Sequence, residues 1–445
     1  MAESAAAAAP AELGADATEL LQRLIRVDTV NPPGNERALQ EELRELLAEA
    51  GFECELLGAE PERPNLVARL RGSGDGPTLT LLGHVDTVRA DPAEWTRDPW
   101  SGEVAEGMVW GRGALDMKGQ VACELAACLR LARGGWRPPA GELLLVLTAD
   151  EEAGGDLGAR WLCENHADRV RSDYVVNEGG GASFEFGGRR LYALSVGEKG
   201  IFRARLRAKG VAGHASLPRI GENALLKLAR LLTRIEAQPP PEPMPEGLEF
   251  LSAVYGERFE GADGMRDGLG RLRSDAPLLA AFLAEPMLSV TLSPTKAQAG
   301  EKANVIPSRA EALIDTRVPP GLGEDDARER IAGLLGDGDH EIEFSESVPG
   351  TRSALETPLA AAIRSWVAEA DPGAELAPIV MPGFSDSHWV RRAFSSAVVY
   401  GFCPQREMPL EQVAPLIHGA DERVAVADLE LGARFFYELP QRVLS

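Results

Sequence analysis

Leu143-Leu144-Leu145-Val146-Leu147-Thr148-Ala149-Asp150-Glu151-Glu152 sets an apolar run of strand length directly against three acidic residues. An uninterrupted apolar run of this length suits a strand buried on both faces, whereas a half-exposed strand would alternate. Asn65 to Leu70 and Leu79 to Leu82 are runs of the same kind, bounded by Gly or Pro. Between them and Leu143, Lys118 to Arg133 carries Val121, Ala122, Leu125, Ala126 and Leu129 on one stripe, the pattern of a helix packed across a sheet. Strand, helix, strand predicts an α/β core. Sheets of this class place their sites at the carboxyl ends of strands, where Asp150, Glu151 and Glu152 stand. Like charges crowded there repel unless a cation neutralises them or one group holds a proton. The alternative is an acidic turn on the surface.

Upstream, apolar positions from Ala17 to Glu49 recur at helical spacing and predict two helices, interrupted at Asn31-Pro32-Pro33-Gly34. The Ala-rich first sixteen residues lack the basic start and cleavable apolar run of a signal peptide and read as a frayed leader. Downstream, Phe202 to Ala208 alternates as a half-exposed strand, followed by a helix over Ala224 to Ala237. Ala310 to Arg317, Asp325 to Leu335 and Glu341 to Phe344 then read as strand, helix and strand. This order predicts a small α+β two-layer sandwich (197–347) inserted into a discontinuous catalytic domain (1–196 and 348–445) of mixed sheet flanked by helices. The stretch about 239–286, rich in Pro, Gly and charge, has no assigned place in that scheme. From Pro358 a helix, a strand at Ser396 to Tyr400 and a closing helix at Val426 to Leu439 return to the first domain.

The 445 residues exceed the roughly 250 to 300 at which one core stops growing, consistent with two domains. With 46 Lys plus Arg against 69 Asp plus Glu, the net charge of -23 excludes an extended basic face for nucleic acid and disfavours an anionic membrane surface. No apolar stretch approaches the ~20 residues of a spanning helix. Five scattered cysteines show no paired spacing for disulfides or zinc, which fits a reducing cytoplasm.

Chemistry-bearing residues gather at the predicted element ends. In Gly83-His84-Val85-Asp86, side chains two apart on an ending strand share a face. His84 can there ligate a metal, with Asp86 fixing the imidazole tautomer; alternatively Asp86 caps a helix. Asp116, in Gly113-Ala114-Leu115-Asp116-Met117-Lys118, directly precedes a predicted helix and reads either as ligand or as N-terminal cap. Gly111 and Gly113 lack the third glycine of a phosphate loop. Glu178 follows the strand-like Tyr174 to Val176, and His418 lies in Ile417-His418-Gly419. Two imidazoles and three carboxylates supply the ligand chemistry of divalent metals such as zinc.

Taken together, in this order along nearly the whole chain, these motifs resemble the co-catalytic di-zinc aminoacylases, acetylornithine deacetylases, succinyl-diaminopimelate desuccinylases and related carboxypeptidases. The resemblance implies a zinc-peptidase-like fold and two Zn²⁺, with Co²⁺ or Mn²⁺ as substitutes. It implies that His84, Asp116 and Glu178 hold one ion, that His418, Asp116 and Glu152 hold the other, and that Asp116 bridges them. Glu151 would be the general base toward a water bridging the metals, a role its position beside that water also favours. His214, in Gly213-His214-Ala215-Ser216, would meet the oxyanion; a His in a strand-end turn is the alternative. Asn304 and Arg317 resemble the substrate-holding segment, Arg317 clamping a carboxylate; a surface Arg on a strand is the alternative reading. Ser385 and His388, in Gly383-Phe384-Ser385-Asp386-Ser387-His388, resemble a substrate loop in which an Arg often occupies the place of His388.

The resemblance implies hydrolysis of an amide bond in a small carboxylate-bearing N-acyl amino acid. A dipeptidase or carboxypeptidase needs the same metal chemistry and remains open. It also implies dimerisation through the inserted domain. A metal-binding protein without turnover is a rival from another class, against which the presence of base, ligands and His214 together argues. No Gly-x-Ser-x-Gly elbow for a serine hydrolase occurs.

Overall fold

A computed structural model of the chain describes residues 2–445, with side chains from Glu12 onward. Its main sheet has ten strands: β1 (Glu53–Leu57), β2 (Asn65–Arg71), β3 (Thr78–His84), β4 (Glu142–Thr148), β5 (Tyr174–Asn177), β6 (Ser183–Phe186), β7 (Arg189–Glu198), β8 (Thr351–Arg352), β9 (Glu375–Met381) and β10 (Val398–Gly401). The order is β1-β2-β4-β3-β5-β10-β7-β8, with β6 and β9 also bonded to β7. Strands β4, β3, β5 and β10 run parallel, whereas β2 joins β4 antiparallel. The mixed α/β fold expected from the sequence is present.

The unbroken apolar runs are explained by burial on both faces. Successive strand residues point to opposite sides, so Leu66, Ala68, Leu79, Leu81, Leu143, Leu145 and Leu147 join one core. Val67, Leu82, Leu144 and Val146 join another on the opposite side, against Trp389, Val390 and Phe394. Helices α1 (Ala2–Ile25), α2 (Lys118–Arg133) and α4 (Val426–Val443) pack the first core, and α3 (Ser387–Ala393) lies over the second. The frayed leader is not observed: the helix of Ala2–Ile25 is continuous and buries Leu13 and Ala17. That helix is held by tertiary packing, which terminal position alone does not reveal.

After β7 the chain builds a four-stranded antiparallel sheet in the order Thr291–Ala299, Arg309–Val318, Gly200–Lys209, His340–Val348. Ala224–Ile235 and Glu324–Leu335 cover one face of it around Phe202, Leu206, Ile314 and Ile331. The unassigned stretch 239–286 is helical and packs elsewhere. Pro245–Tyr255, Gly261–Asp275 and a π-turn at Ala280–Ala284 bury Phe250, Leu251, Leu272 and Leu283 against Phe184, Leu191, Ala377 and Ile379 of the main sheet. No helix among the described residues is long and apolar enough to cross a membrane.

Candidate active site

The carboxyl ends of the adjacent parallel strands β3, β4 and β5 deliver His84, the Asp150–Glu152 turn and Glu178 to one edge of the sheet. The loop entering α2 adds Asp116, and the loop before α4 adds His418. Asp116 stands between the two imidazoles, its Oδ1 3.1 Å from His84 Nε2 and its Oδ2 3.1 Å from His418 Nε2. It makes no capping bond to the helix it precedes, so the cap alternative does not apply. His418 Nε2 is also 3.1 Å from Glu152 Oε2. Glu178 and Glu151 reach His84 Nε2 at 3.8 and 3.9 Å. Two sets of donor atoms, His84/Glu151/Glu178 and His84/Asp116/Glu152, lie mutually within 4.8 Å.

The behaviour of this cluster follows from burial and crowding. Among the described residues no Lys or Arg pairs with Asp116, Glu151, Glu152 or Glu178; their cationic partners are imidazoles alone. Burial and the Asp116 charge push Glu178 up to about 8. Burial and Glu178 likewise raise Glu151 well above the usual carboxylate range. Asp116 moves the other way: burial would raise it, but the bonds from His418 and His84 hold it far below. Bonds to Asp116 and Glu152 lift His418, which is half-exposed, to about 10. Glu152 Oε1 is buried without a hydrogen-bond partner. A set of buried oxygen and nitrogen donors this acidic, with one carboxylate shared, fits two divalent cations.

The supporting residues were largely missed by sequence reasoning. His84 Nδ1 lies 3.0 Å from the Asp86 backbone oxygen and 3.4 Å from Asp86 Oδ1, so the backbone carbonyl is the nearer partner. The Asp86 carboxylate accepts instead from the Glu151 and Glu152 backbone N–H groups, each at 3.2 Å, and from Asn31 Nδ2 at 2.8 Å. Glu422, fully buried, accepts from the backbone N–H of Gly113, Leu115 and Asp116 at 3.1, 2.7 and 3.1 Å and pairs with Arg112. Arg112 Nη2 in turn donates to the carbonyls of His418 and Gly419 at 3.2 and 2.9 Å. One ion pair thus locks both loops that flank the shared Asp116, including His418 in its left-handed backbone. Only the acidic Asp421-Glu422 beside His418 hinted at this.

The remaining sequence candidates are not joined to the cluster. His214 is exposed and bonded to Ser216 Oγ at 2.8 Å. It shares a two-stranded ribbon with Val305, and Asn304 accepts from Ala215 N at its end. Arg317 lies on the smaller sheet, its Nε bonded to Asp315 at 2.7 Å. Ser385 and His388 are buried near the end of β5, where Asn177 bonds Ser387 Oγ at 2.9 Å. Ser385 Oγ is 3.2 Å from Glu198. Neither His388 ring nitrogen is hydrogen-bonded, though Nδ1 lies 3.9 Å from Glu198 Oε1, and burial together with Arg392 and Arg391 lowers its pKa to about 4.

Removing one partner of a buried ion pair typically costs about 3–5 kcal/mol. Arg112→Met is therefore expected to lower unfolding free energy by that order in a urea titration, and to weaken metal retention. A loss under about 1 kcal/mol with metal retention unchanged would show that the Arg112–Glu422 lock is dispensable.

A profile of peptidase family M20/M25/M40 matches residues 80–442. A succinyl-diaminopimelate desuccinylase of Methylorubrum extorquens is 30% identical over 425 residues, covering 92% of this chain and 94% of its own. The M20 metallo-carboxypeptidase Sso-CP2 of Sulfolobus solfataricus superposes with a TM-score of 0.69 at 17% identity, over 96% of this chain and 99% of its own. A dinuclear metal-binding M20 peptidase of Bacillus subtilis superposes at 0.57 and 14% identity, over 97% and 99%. The chain belongs to peptidase family M20/M25/M40 and is a metal-dependent hydrolase of amide bonds.

Proposed function

We propose that the chain removes the acyl group from a small, carboxylate-bearing N-acyl amino acid. The observation that carries this reading is Asp116, shared by two imidazoles within an acidic cluster that no Lys or Arg joins among the described residues. The desuccinylase relative supports an N-acyl amino acid over a longer peptide.

His84, Asp116 and Glu178 would hold one ion, and His418, Asp116 and Glu152 the other, with zinc expected and cobalt or manganese as substitutes. Ions held there would supply Lewis acidity toward the amide carbonyl and would lower the pKa of water toward neutrality. Glu151 accepts the proton of the attacking water and passes it to the leaving nitrogen. Asp86 holds the backbone of that residue in place through the Glu151 N–H. His214 donates to the carbonyl oxygen as charge develops, a contribution of roughly 10²- to 10³-fold. Because His214, Asn304 and Arg317 all lie on 197–347, this unit acts as a lid that approaches the cluster with substrate bound. Arg317 suits a carboxylate: Asp315 orients its guanidinium while Nη1 is left without a partner. Ser385 and His388, at the far side of the Glu178 strand end, meet the substrate's terminal group. We place the enzyme in the cytoplasm, a reducing compartment that suits its five free cysteines.

The same lid exposes Val211, Leu217, Ile220, Leu225, Leu226 and Val305. Exposed apolar groups such as these suit a homodimer contact. Light scattering is expected to report a dimer for the wild-type protein and a monomer for Leu226→Glu; a monomeric wild type contradicts this part of the reading.

Glu151→Ala is expected to keep two metal ions per chain by elemental analysis while hydrolysis falls roughly 10²- to 10⁴-fold. Glu152→Ala should instead lose metal. A panel of N-succinyl and N-acetyl amino acids, dipeptides and N-carbamoyl compounds tests the substrate class. Turnover of dipeptides alone would replace the deacylase by a dipeptidase, and full activity in Glu151→Ala would remove that residue as base.

A further inference from the structure

The turn that presents Glu151 and Glu152 hangs on Asp150, which the metal cluster does not use. Asp150 is buried and adopts a left-handed backbone, φ +69°. Its main-chain oxygen accepts from Ala153 and Gly155, closing the turn. Its side chain faces away from the cluster's donor atoms, into a second buried group. Oδ1 accepts from Arg63 Nη1 at 2.8 Å and from Asn31 Nδ2 at 3.2 Å, and Oδ2 accepts from Leu157 N at 3.0 Å.

Arg63 is fully engaged. Its Nε and Nη2 grip both oxygens of the buried Glu36, at 3.0 and 2.6 Å, while Nη1 takes Asp150. Asn31 uses its amide to bridge Asp150 and Asp86, and Asp86 accepts the N–H groups of Glu151 and Glu152. The loop Asn31–Gly34 seats the guanidinium: a Cβ on Gly34 would lie 2.1 Å from Arg63 Nε, and its φ of +83° also favours glycine. Two buried carboxylates, Glu36 and Asp150, therefore meet one fixed cation, and the Asn31 amide ties a third, Asp86, to Asp150. Of the three acidic residues that follow β4, Asp150 alone has an Arg or Lys partner among the described residues.

We infer that Arg63 and Asn31 are positioning residues for the hydrolysis, Arg63 neutralising Asp150 and Asn31 anchoring Asp150 to Asp86, so that the turn holds Glu151 and Glu152 at the metal cluster. This rests on the reading that those two glutamates act at that cluster. Lys cannot substitute fully, because a single ammonium does not reproduce a planar fork shared between two carboxylates. A displacement of about 1 Å in the turn is enough to cost on the order of 10²-fold in rate.

The test compares the full-length wild type with Arg63→Lys, Arg63→Met and Asn31→Ala. Co²⁺ is titrated into chelated protein by visible absorption, kcat and KM are measured on the best substrate of the panel, and thermal unfolding is followed without metal. Arg63→Met and Asn31→Ala are expected to weaken Co²⁺ binding about 10- to 100-fold and to lower kcat by a similar factor. KM should stay within about threefold of wild type, because the substrate groups lie elsewhere, and Arg63→Lys should fall between. Asn31→Ala removes no charge, so it decides the matter if the Arg63 variants do not fold. Lower unfolding temperature with wild-type Co²⁺ affinity and kcat would overturn the inference and leave these residues purely structural. A wild type that turns over nothing in the panel would sink the substrate reading instead, and the Co²⁺ arm would still decide this one.

Discussion

Asp116 lends one carboxylate oxygen to each of two imidazoles that come from opposite ends of the chain. That sharing works only if three separate pieces of backbone stop in register: the end of β3, the loop into α2 and the loop before α4. The sheet fixes the first by parallel pairing with β4 and β5. Arg112 and Glu422 fix the other two by tying the Asp116 loop to the His418 loop. The cost of burying that ion pair is offset in part by backbone: Glu422 accepts three backbone N–H groups and Arg112 Nη2 donates to two carbonyls, while Arg112 Nε is left without a partner.

Electrostatics divides the carboxylates at this edge into two populations. Glu36, Asp86 and Asp150 are satisfied within the protein, by Arg63, Asn31 and backbone N–H groups. Among the described residues Asp116, Glu151, Glu152 and Glu178 have only imidazoles as cationic partners, and their proton affinities part: burial and the Asp116 charge raise Glu178, while His418 and His84 hold Asp116 down. Four partly buried acids with imidazoles but no Lys or Arg beside them, next to neighbours that are paired, form a group shaped for cations from outside. The same partition separates support from chemistry within the single run Asp150-Glu151-Glu152.

The α/β fold was legible because residues buried on both sheet faces must be apolar at every position, as Leu143 to Leu147 are. His84, Asp116, Glu152, Glu178 and His418 could be named because ligand types at strand and helix ends are uncommon in combination, and the structure brings them together. The supports were not legible. Asn31 read as part of a helix break, and Arg63 and Glu422 carried no reading at all, since their roles depend on partners far away in sequence. The stretch 239–286 defeated periodicity for a related reason: its Gly-rich helices bury short apolar faces against strands β6, β7 and β9 that precede and follow it at a distance. The helical start of the chain was misread as frayed because its packing against α2 and α4 leaves no local mark. His214, Asn304 and Arg317 sit on the smaller sheet, so a role at the cluster depends on how that sheet approaches it, which spacing along the chain does not encode.

The most direct measurement of the central claim is anomalous diffraction from crystals grown with zinc. Two peaks are predicted, roughly 3.5–4 Å apart, each with one Asp116 oxygen about 2.0–2.2 Å away. A single peak, or two peaks with Asp116 bound to neither or only one, would contradict a site organised around a shared carboxylate.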